Sequence, residues 1–244
     1  MKYVVTDKIY IDLLKNIRKY FYDATDTLHK GRNEIKVVSF AEKNLVVKSF
    51  KIPHIINKFA YTFLRDSKAK KSYFNSLGII DFVPKPIGYI EFKKFGVLYD
   101  SYFVNEEFKY DFTIRKPLLD GKFPNKNEIY KAFASFTYQL HEKGIYHLDY
   151  SPGNILIQNK NDEYIFKVID INRMKFKVLS LDERIKNFSK LWASDKDLKV
   201  IIYEYAMLIN EDHEECIALA LKYSQAHKNI KKLKKRIKGK KVVD

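Results

Sequence analysis

His147, Asp149 and Asn154 stand together in HLDYSPGNIL, and a further carboxylate, Asp170, follows in VIDINRM. An aspartate and an asparagine at this spacing can divide two tasks. The aspartate can accept a proton from a hydroxyl nucleophile, and the asparagine side-chain oxygen can ligate a divalent metal. A second carboxylate is then needed to hold the metal against phosphate oxygens, because Mg²⁺ takes hard oxygen ligands. Asp170 is placed to supply it. Pro152 and Gly153 bend the backbone so that Asp149 and Asn154 point into one cleft.

The elements that must position these residues are readable on either side. EIYKAFASFTYQLHEKG (128–144) has helical apolar spacing and ends at Gly144. NILI (154–157) and YIFKVIDI (164–171) read as short strands, so acid, amide and acid would converge at the mouth of a hairpin. Three helices follow by periodicity: 181–192, 197–209 and 214–225. Upstream, residues 7–21 carry Ile9, Leu13, Ile17 and Tyr20 at helical spacing. TLHKGRNEIKVVSF reads as strand material with a turn at residues 30–33, and LVVKSF (45–50) as a β-rich run before Pro53. Residues 55–77 read as helix in two pieces. Pro84 and Pro86 interrupt, and IGYIEF (87–92) and GVLYDSYFV (96–104) form a strand pair. A strand-rich half thus precedes a helix-rich half, and no internal repeat is visible.

Bulk composition agrees with a folded protein. The 244 residues suit one large domain or two lobes, and 46% hydrophobic content supports a real core. The single cysteine, Cys216, cannot form an internal disulfide and reads as a packed, inert thiol in a reducing compartment. No apolar run reaches the roughly 18–20 residues that span a bilayer, and the N-terminus lacks a signal-peptide core. Net charge is +16 and uneven: residues 228–241 carry nine basic side chains and no acid, which leaves 16 − 9 = +7 elsewhere. Such a surface attracts polyanions, anionic membranes or phosphorylated substrates; a solvated lysine-rich tail is the bland alternative. Trp192 reads as core rather than as a binding platform.

The order H-x-D-x-x-x-x-N, strand, turn, strand, Asp is that of the protein-kinase-like fold. The run HLDYSPGNIL…VIDINRMKF resembles more specifically the bacterial lipopolysaccharide kinase family, which phosphorylates Kdo or heptose sugars of the inner core. Asp170 is followed by Ile171, Asn172 and Arg173 rather than by the Phe-Gly of eukaryotic-type protein kinases. LHKGRNEIKVV, VVKSF and RDSKAKKSYFNSL also resemble members of the family, so the similarity runs over roughly residues 25–210.

The resemblance implies an α+β, two-lobe protein-kinase-like fold across residues 1–244, with the active site in the cleft. A small strand-rich N-lobe with its N-terminal helix spans 1–105, a helical C-lobe spans 106–227, and a basic tail spans 228–244. It implies ATP and Mg²⁺ as cofactors and a sugar or lipopolysaccharide acceptor. Asp149 is then the catalytic base and Asn154 and Asp170 the metal ligands. Lys48 steadies the ATP phosphates, and Gly31 and Arg32 belong to the turn that covers them. His147, Asn172 and Arg173 order the loops.

Two departures bear on this assignment. Kinases pair the strand lysine with a glutamate on the following helix, yet between residues 55 and 80 the sole acid is Asp66. Either Asp66 substitutes, an acid arrives from elsewhere, or the pair is absent, as in a catalytically impaired pseudokinase. No Ala-Pro-Glu-like segment follows Asp170, which points away from protein substrates toward a small or lipid-linked hydroxyl. An aminoglycoside- or choline-type phosphotransferase shares the same loop and is the neighbouring alternative. In the tail, Ile230, Leu233 and Ile237 form a thin apolar stripe on a cationic helix. Residues 228–241 could therefore lie on an anionic membrane surface, and the expected location is cytoplasmic, peripheral on the inner face of the inner membrane. No nucleic-acid module is recognisable, so nucleic acid is not the expected partner.

Overall fold

The computed structural model describes residues 1–31, 33–51, 66–161 and 163–237. Arg32, the first piece of the expected helix at 55–65, and residues 238–244 of the basic tail lie outside the described residues. The chain divides into two compact units: Met1–Lys109 with Asp170–Asn172, and Tyr110–Ile169 with Arg173–Asp244.

The first unit is built on a six-stranded antiparallel sheet. Its strands are β1 (Lys2–Val5), β2 (Thr27–Lys30), β3 (Asn33–Phe40), β4 (Lys43–Lys51), β5 (Pro86–Lys94) and β6 (Val97–Glu106), in the order β1-β5-β6-β4-β3-β2. The two-residue period of a strand sends alternate side chains to opposite faces. From β4, Leu45 and Val47 pack on one face under α1 (Ile11–Lys15) and α2 (Ile17–Asp23), which contribute Leu13, Leu14, Ile17 and Phe21. Phe50 projects to the other face, where Tyr89 and Phe103 meet Ala69 and Tyr73 of α3 (Lys68–Gly78). Burying a side chain such as Leu13 stabilises by about 1.5–3 kcal/mol. α3 starts where the Ser67 hydroxyl accepts the Lys70 backbone N–H at 3.0 Å.

The second unit begins with β7 (Phe112–Thr113), α4 (Arg115–Leu119) and α5 (Lys126–Glu142). Ile129, Phe133, Thr137 and His141 recur every fourth position along α5 and are buried. Phe133 is the hub, its ring 5.8 Å from that of Tyr150, 6.0 Å from Phe166 and 6.3 Å from Phe188. After α5, β8 (Ile145–His147) pairs with β11 (Met174–Phe176), and β9 (Ile155–Lys160) forms a hairpin with β10 (Glu163–Val168), flanked by β7. α6 (Leu181–Asn187), α7 (Asp195–Ile209) and α8 (His213–Ile237) complete the unit.

Several expectations are corrected. The N-terminal helix is broken at Asn16 into α1 and α2 after a short 3₁₀ turn. Asp170 lies beyond the end of β10 at Val168, in left-handed conformation. The helix expected over 181–192 tightens into a 3₁₀ turn at Phe188–Leu191. Trp192, expected in the core, is 44% exposed. The helix expected over 214–225 and the cationic helix expected to carry Ile230, Leu233 and Ile237 are one continuous element, α8.

Candidate active site

In the second unit the catalytic-loop residues are locked by their own backbone. His147 ends β8 and is buried. Its Nδ1 accepts the Asp149 backbone N–H at 3.0 Å, which leaves Nε2 as the donor to the Ile169 carbonyl, also 3.0 Å away. The histidine thus ties the loop to the residue that precedes Asp170. The Asn154 amide nitrogen donates to the Asp149 carbonyl at 2.9 Å, and the Ile169 N–H returns to the Asn154 carbonyl at 3.0 Å. With its NH₂ group so used, Asn154 keeps an acceptor oxygen that makes no hydrogen bond among the described residues, the kind of hard donor a divalent cation takes. The Asp149 carboxylate is half-buried and has no hydrogen-bond or ion-pair partner among the described residues.

The loop is held from beneath. Tyr150, fully buried between Asp149 and the turn at Pro152–Asn154, hydrogen-bonds Thr137 Oγ1 at 2.8 Å. Behind His147 runs a buried polar chain. Asn187 Nδ2 donates to the His147 carbonyl at 2.9 Å, Asn187 Oδ1 faces His141 Nε2 at 3.2 Å, and His141 Nδ1 faces the Tyr205 hydroxyl at 2.7 Å. Since Asn187 Oδ1 can only accept, His141 carries its proton on Nε2 and takes the Tyr205 proton on Nδ1. Burial lowers the His141 pKa to about 4, so the ring is neutral. A Cβ at Gly153 would stand 2.8 Å from Arg115 Nη2, the far end of a flexible side chain beside the loop.

In the first unit, Lys48 projects from β4 and its Nζ pairs with Asp170 Oδ1 at 2.7 Å. The pair is largely shielded, with side-chain exposures of 14% and 32%. Asn172 Nδ2 donates to the same Oδ1 at 2.7 Å, so Asn172 orients the carboxylate directly. Asp170 has φ +60. Aspartate tolerates this region better than most residues, and its use aims the side chain at Lys48.

The question of the missing helix glutamate resolves structurally. Asp66 pairs with Lys70 across one helical turn at 2.6 Å and not with Lys48. α3 instead presents Asn75, whose Nδ2 donates to the Ile171 carbonyl at 2.6 Å. The helix is thus tethered to the 170–172 segment by an amide, and the lysine takes its acid from Asp170.

Gly31 sits in the exposed turn between β2 and β3 and makes no bond to Lys48, Asp170 or Asn172 among the described residues. Arg173 is exposed; its carbonyl accepts the Leu148 N–H at 3.0 Å, so its loop contact is made by backbone. Asn75, Tyr150, Asn187 and Arg115 escaped the sequence reading. A search for an acid on the helix passes over Asn75, and the other three act from positions with no motif of their own.

Among the described residues no group of three or more His, Cys, Asp or Glu could hold a metal alone.

The sequence matches the family model described as lipopolysaccharide kinase (Kdo/WaaP) family over residues 73–205. Among curated proteins, none matches. The fold resembles the solved structure "WaaP in complex with acyl carrier protein", with TM-score 0.63 and 13% identity, covering 94% of this chain and 99% of that one. At that identity the likeness establishes a shared kinase-like fold.

Proposed function

Because this chain belongs to the lipopolysaccharide kinase (Kdo/WaaP) family and is a kinase, we propose that it transfers the γ-phosphoryl group of ATP to a hydroxyl of a Kdo or heptose residue in the lipopolysaccharide inner core. The observation that carries this reading is the loop of His147, Asp149 and Asn154, in which the His147 ring and the Asn154 NH₂ group bind loop backbone while the Asp149 carboxylate and the Asn154 amide oxygen make no hydrogen bond among the described residues.

Asp149 accepts the proton of the acceptor hydroxyl as the oxygen attacks phosphorus. An unpaired carboxylate suits this, because a lone pair committed to a cation would be a poorer base. Asn154 and Asp170 would hold Mg²⁺, which when bound neutralises charge on the phosphate oxygens. Lys48 passes from Asp170 to the ATP phosphates once nucleotide is present, and Asn172 keeps the Asp170 carboxylate oriented as the lysine leaves. Phosphoryl transfer needs little covalent help from a protein, so positioning and charge stabilisation supply most of the rate. Gly31 and Arg32 remain proposed for phosphate coverage, and His147, Asn172 and Arg173 for loop order.

We place the enzyme at the inner face of the inner membrane. No helix among the described residues is long and apolar enough to cross a membrane. Ile230, Leu233 and Ile237 are exposed on α8 among lysines, which suits a helix resting on anionic lipid.

The test is ADP release on a panel of acceptors that includes deacylated inner-core oligosaccharide. Turnover should appear with ATP and Mg²⁺ and fall by roughly 10²–10⁴-fold in Asp149→Ala. Failure to bind any nucleotide in the presence of Mg²⁺ would refute the proposal.

A further inference from the structure

We propose that a face of the second unit formed by Lys186, Lys190, Trp192, His227, Lys231 and Lys234 binds a phosphorylated saccharide, with the sugar stacked on Trp192 and its phosphate gripped by the lysines.

The cations are arranged on two adjoining elements. Lys186 ends α6 and Lys190 lies one turn on, in the 3₁₀ segment Phe188–Leu191. His227, Lys231 and Lys234 fall at i, i+4 and i+7 of α8, which puts them on one stripe. Lys228 fastens the two elements together, its Nζ donating to the Ala193 carbonyl at 2.9 Å. Among the described residues, no carboxylate forms an ion pair with Lys186, Lys190, Lys231 or Lys234. Lys186 leans instead over the Tyr223 ring, 5.1 Å from its centre.

This crowding has an electrostatic cost that an anion would remove. Burial lowers the Lys190 pKa, and Lys231, Lys186 and Lys234 push it the same way, while Asp149 opposes them. His227 is lowered by burial and by Lys190, Lys231 and Lys234. Like charges held together without a counter-ion destabilise one another, and a phosphate among them satisfies several at once.

Trp192 supplies the second half of the recognition. It is 44% exposed at φ +58, a region where a bulky residue is an outlier. Its ring meets the His227 ring edge to face at 5.8 Å, so the indole is braced on the cationic stripe. A backbone conformation that costs energy and keeps a large aromatic out of the core is the kind of strain retained at binding sites. An aromatic face beside lysines matches a pyranose that carries a phosphate: apolar C–H face to indole, anionic oxygens to ammonium. Lys190 feels the Asp149 carboxylate electrostatically, and Asp149 is the base of the proposed reaction. A role for this face in presenting an acceptor rests on the phosphotransferase reading; the existence of the site does not.

Trp192 is the sole tryptophan of the chain, so its fluorescence reports occupancy directly. Titration of the full chain, without ATP, with glucose 6-phosphate, inorganic phosphate, glucose, and phosphatidylglycerol vesicles separates the sources of phosphate. Glucose 6-phosphate should shift the emission and bind more tightly than inorganic phosphate or glucose. In Lys231→Gln/Lys234→Gln its affinity should fall about tenfold or more, the loss of charge-assisted bonds. In Lys196→Gln/Lys199→Gln, an equal loss of charge on α7, affinity should hold. Calorimetry on Trp192→Phe, with its fold checked by circular dichroism, should show weakened binding of the sugar phosphate but not of inorganic phosphate. A silent response to glucose 6-phosphate, a response to vesicles alone, or an equal loss in both double variants overturns the site. Sugar-phosphate binding in a protein that phosphorylates no acceptor supports the site and refutes the phosphotransferase reading; acceptor turnover with Trp192 unresponsive does the reverse.

Discussion

Lys48 Nζ rests 2.7 Å from Asp170 Oδ1, so the strand lysine and this aspartate neutralise one another. Kinases ordinarily hold this lysine with a helix acid; here the acid is the one proposed to carry the metal. Replacing Lys48 by Met should lower turnover by about 10²–10³-fold, the range for loss of one charge-stabilising donor. Asp170→Asn should abolish Mg²⁺-dependent nucleotide binding. Single-turnover kinetics with calorimetry on both variants would check this. Equal nucleotide affinity in wild type and Asp170→Asn would remove Asp170 from the metal site.

The Asn75 tether should matter by its hydrogen bond. Asn75→Leu removes the donor to the Ile171 carbonyl, and a buried acceptor left unsatisfied costs about 1–3 kcal/mol. Asn75→Asp should cost more, because it sets a carboxylate against that carbonyl. Urea denaturation of the two variants should rank them in this order.

His141 makes stability depend on pH in a defined window. Its folded pKa of about 4 lies below the ordinary 6.5, so between these values the unfolded chain binds the extra proton. Stability contributed by the neutral ring is full above 6.5 and is lost as pH falls toward 4, by on the order of 3 kcal/mol. Thermal melts from pH 7 to pH 4 should show the decline, and His141→Asn should flatten it. An unchanged slope in that variant would assign the acid sensitivity elsewhere.

Gly144 joins α5 to β8 at φ +69, and a Cβ there would approach the Lys177 carbonyl to 2.7 Å. Gly144→Ala therefore combines backbone strain with a clash against main chain that cannot swing aside. The expected loss is roughly 1–3 kcal/mol, read by chemical denaturation. Gly121→Ala, where no atom lies within 4 Å of the added carbon, is the control.

Much of this molecule is legible in its sequence where period and chemistry coincide. Strands expected at 45–50, 87–92 and 96–104 appear as β4, β5 and β6, the first two longer by three residues in total and β6 by one. The helix expected over 128–144 is α5, shifted by two residues. Four-residue β1 and three-residue β8 and β11 are too short to show a period, and they exist because partner strands complete them. α8 outruns the expected helix because lysine and arginine are good helix formers, so a charged stretch that reads as tail sustains the turn. Trp192 misleads for a related reason: hydrophobicity argues for burial, but the left-handed residue that ends a 3₁₀ turn points where the backbone sends it. Lys48 and Asp170, singled out by residue type and spacing, stand 2.7 Å apart, and Asp149 and Asn154 share one hydrogen-bonded loop. Their partners Asn75, Tyr150 and Asn187 are chosen by tertiary packing, which spacing along one chain does not encode.

The amide bridge from Asn75 to Ile171 has a consequence for how this enzyme responds to its surroundings. A lysine–glutamate pair in the same place would weaken as salt screens it and fail when acid protonates the carboxylate. A neutral donor on a neutral carbonyl has no charge to screen and no proton to gain in that range. The coupling between α3 and the 170–172 segment is therefore indifferent to ionic strength and to mild acid, a useful constancy beside a surface as cationic as this one.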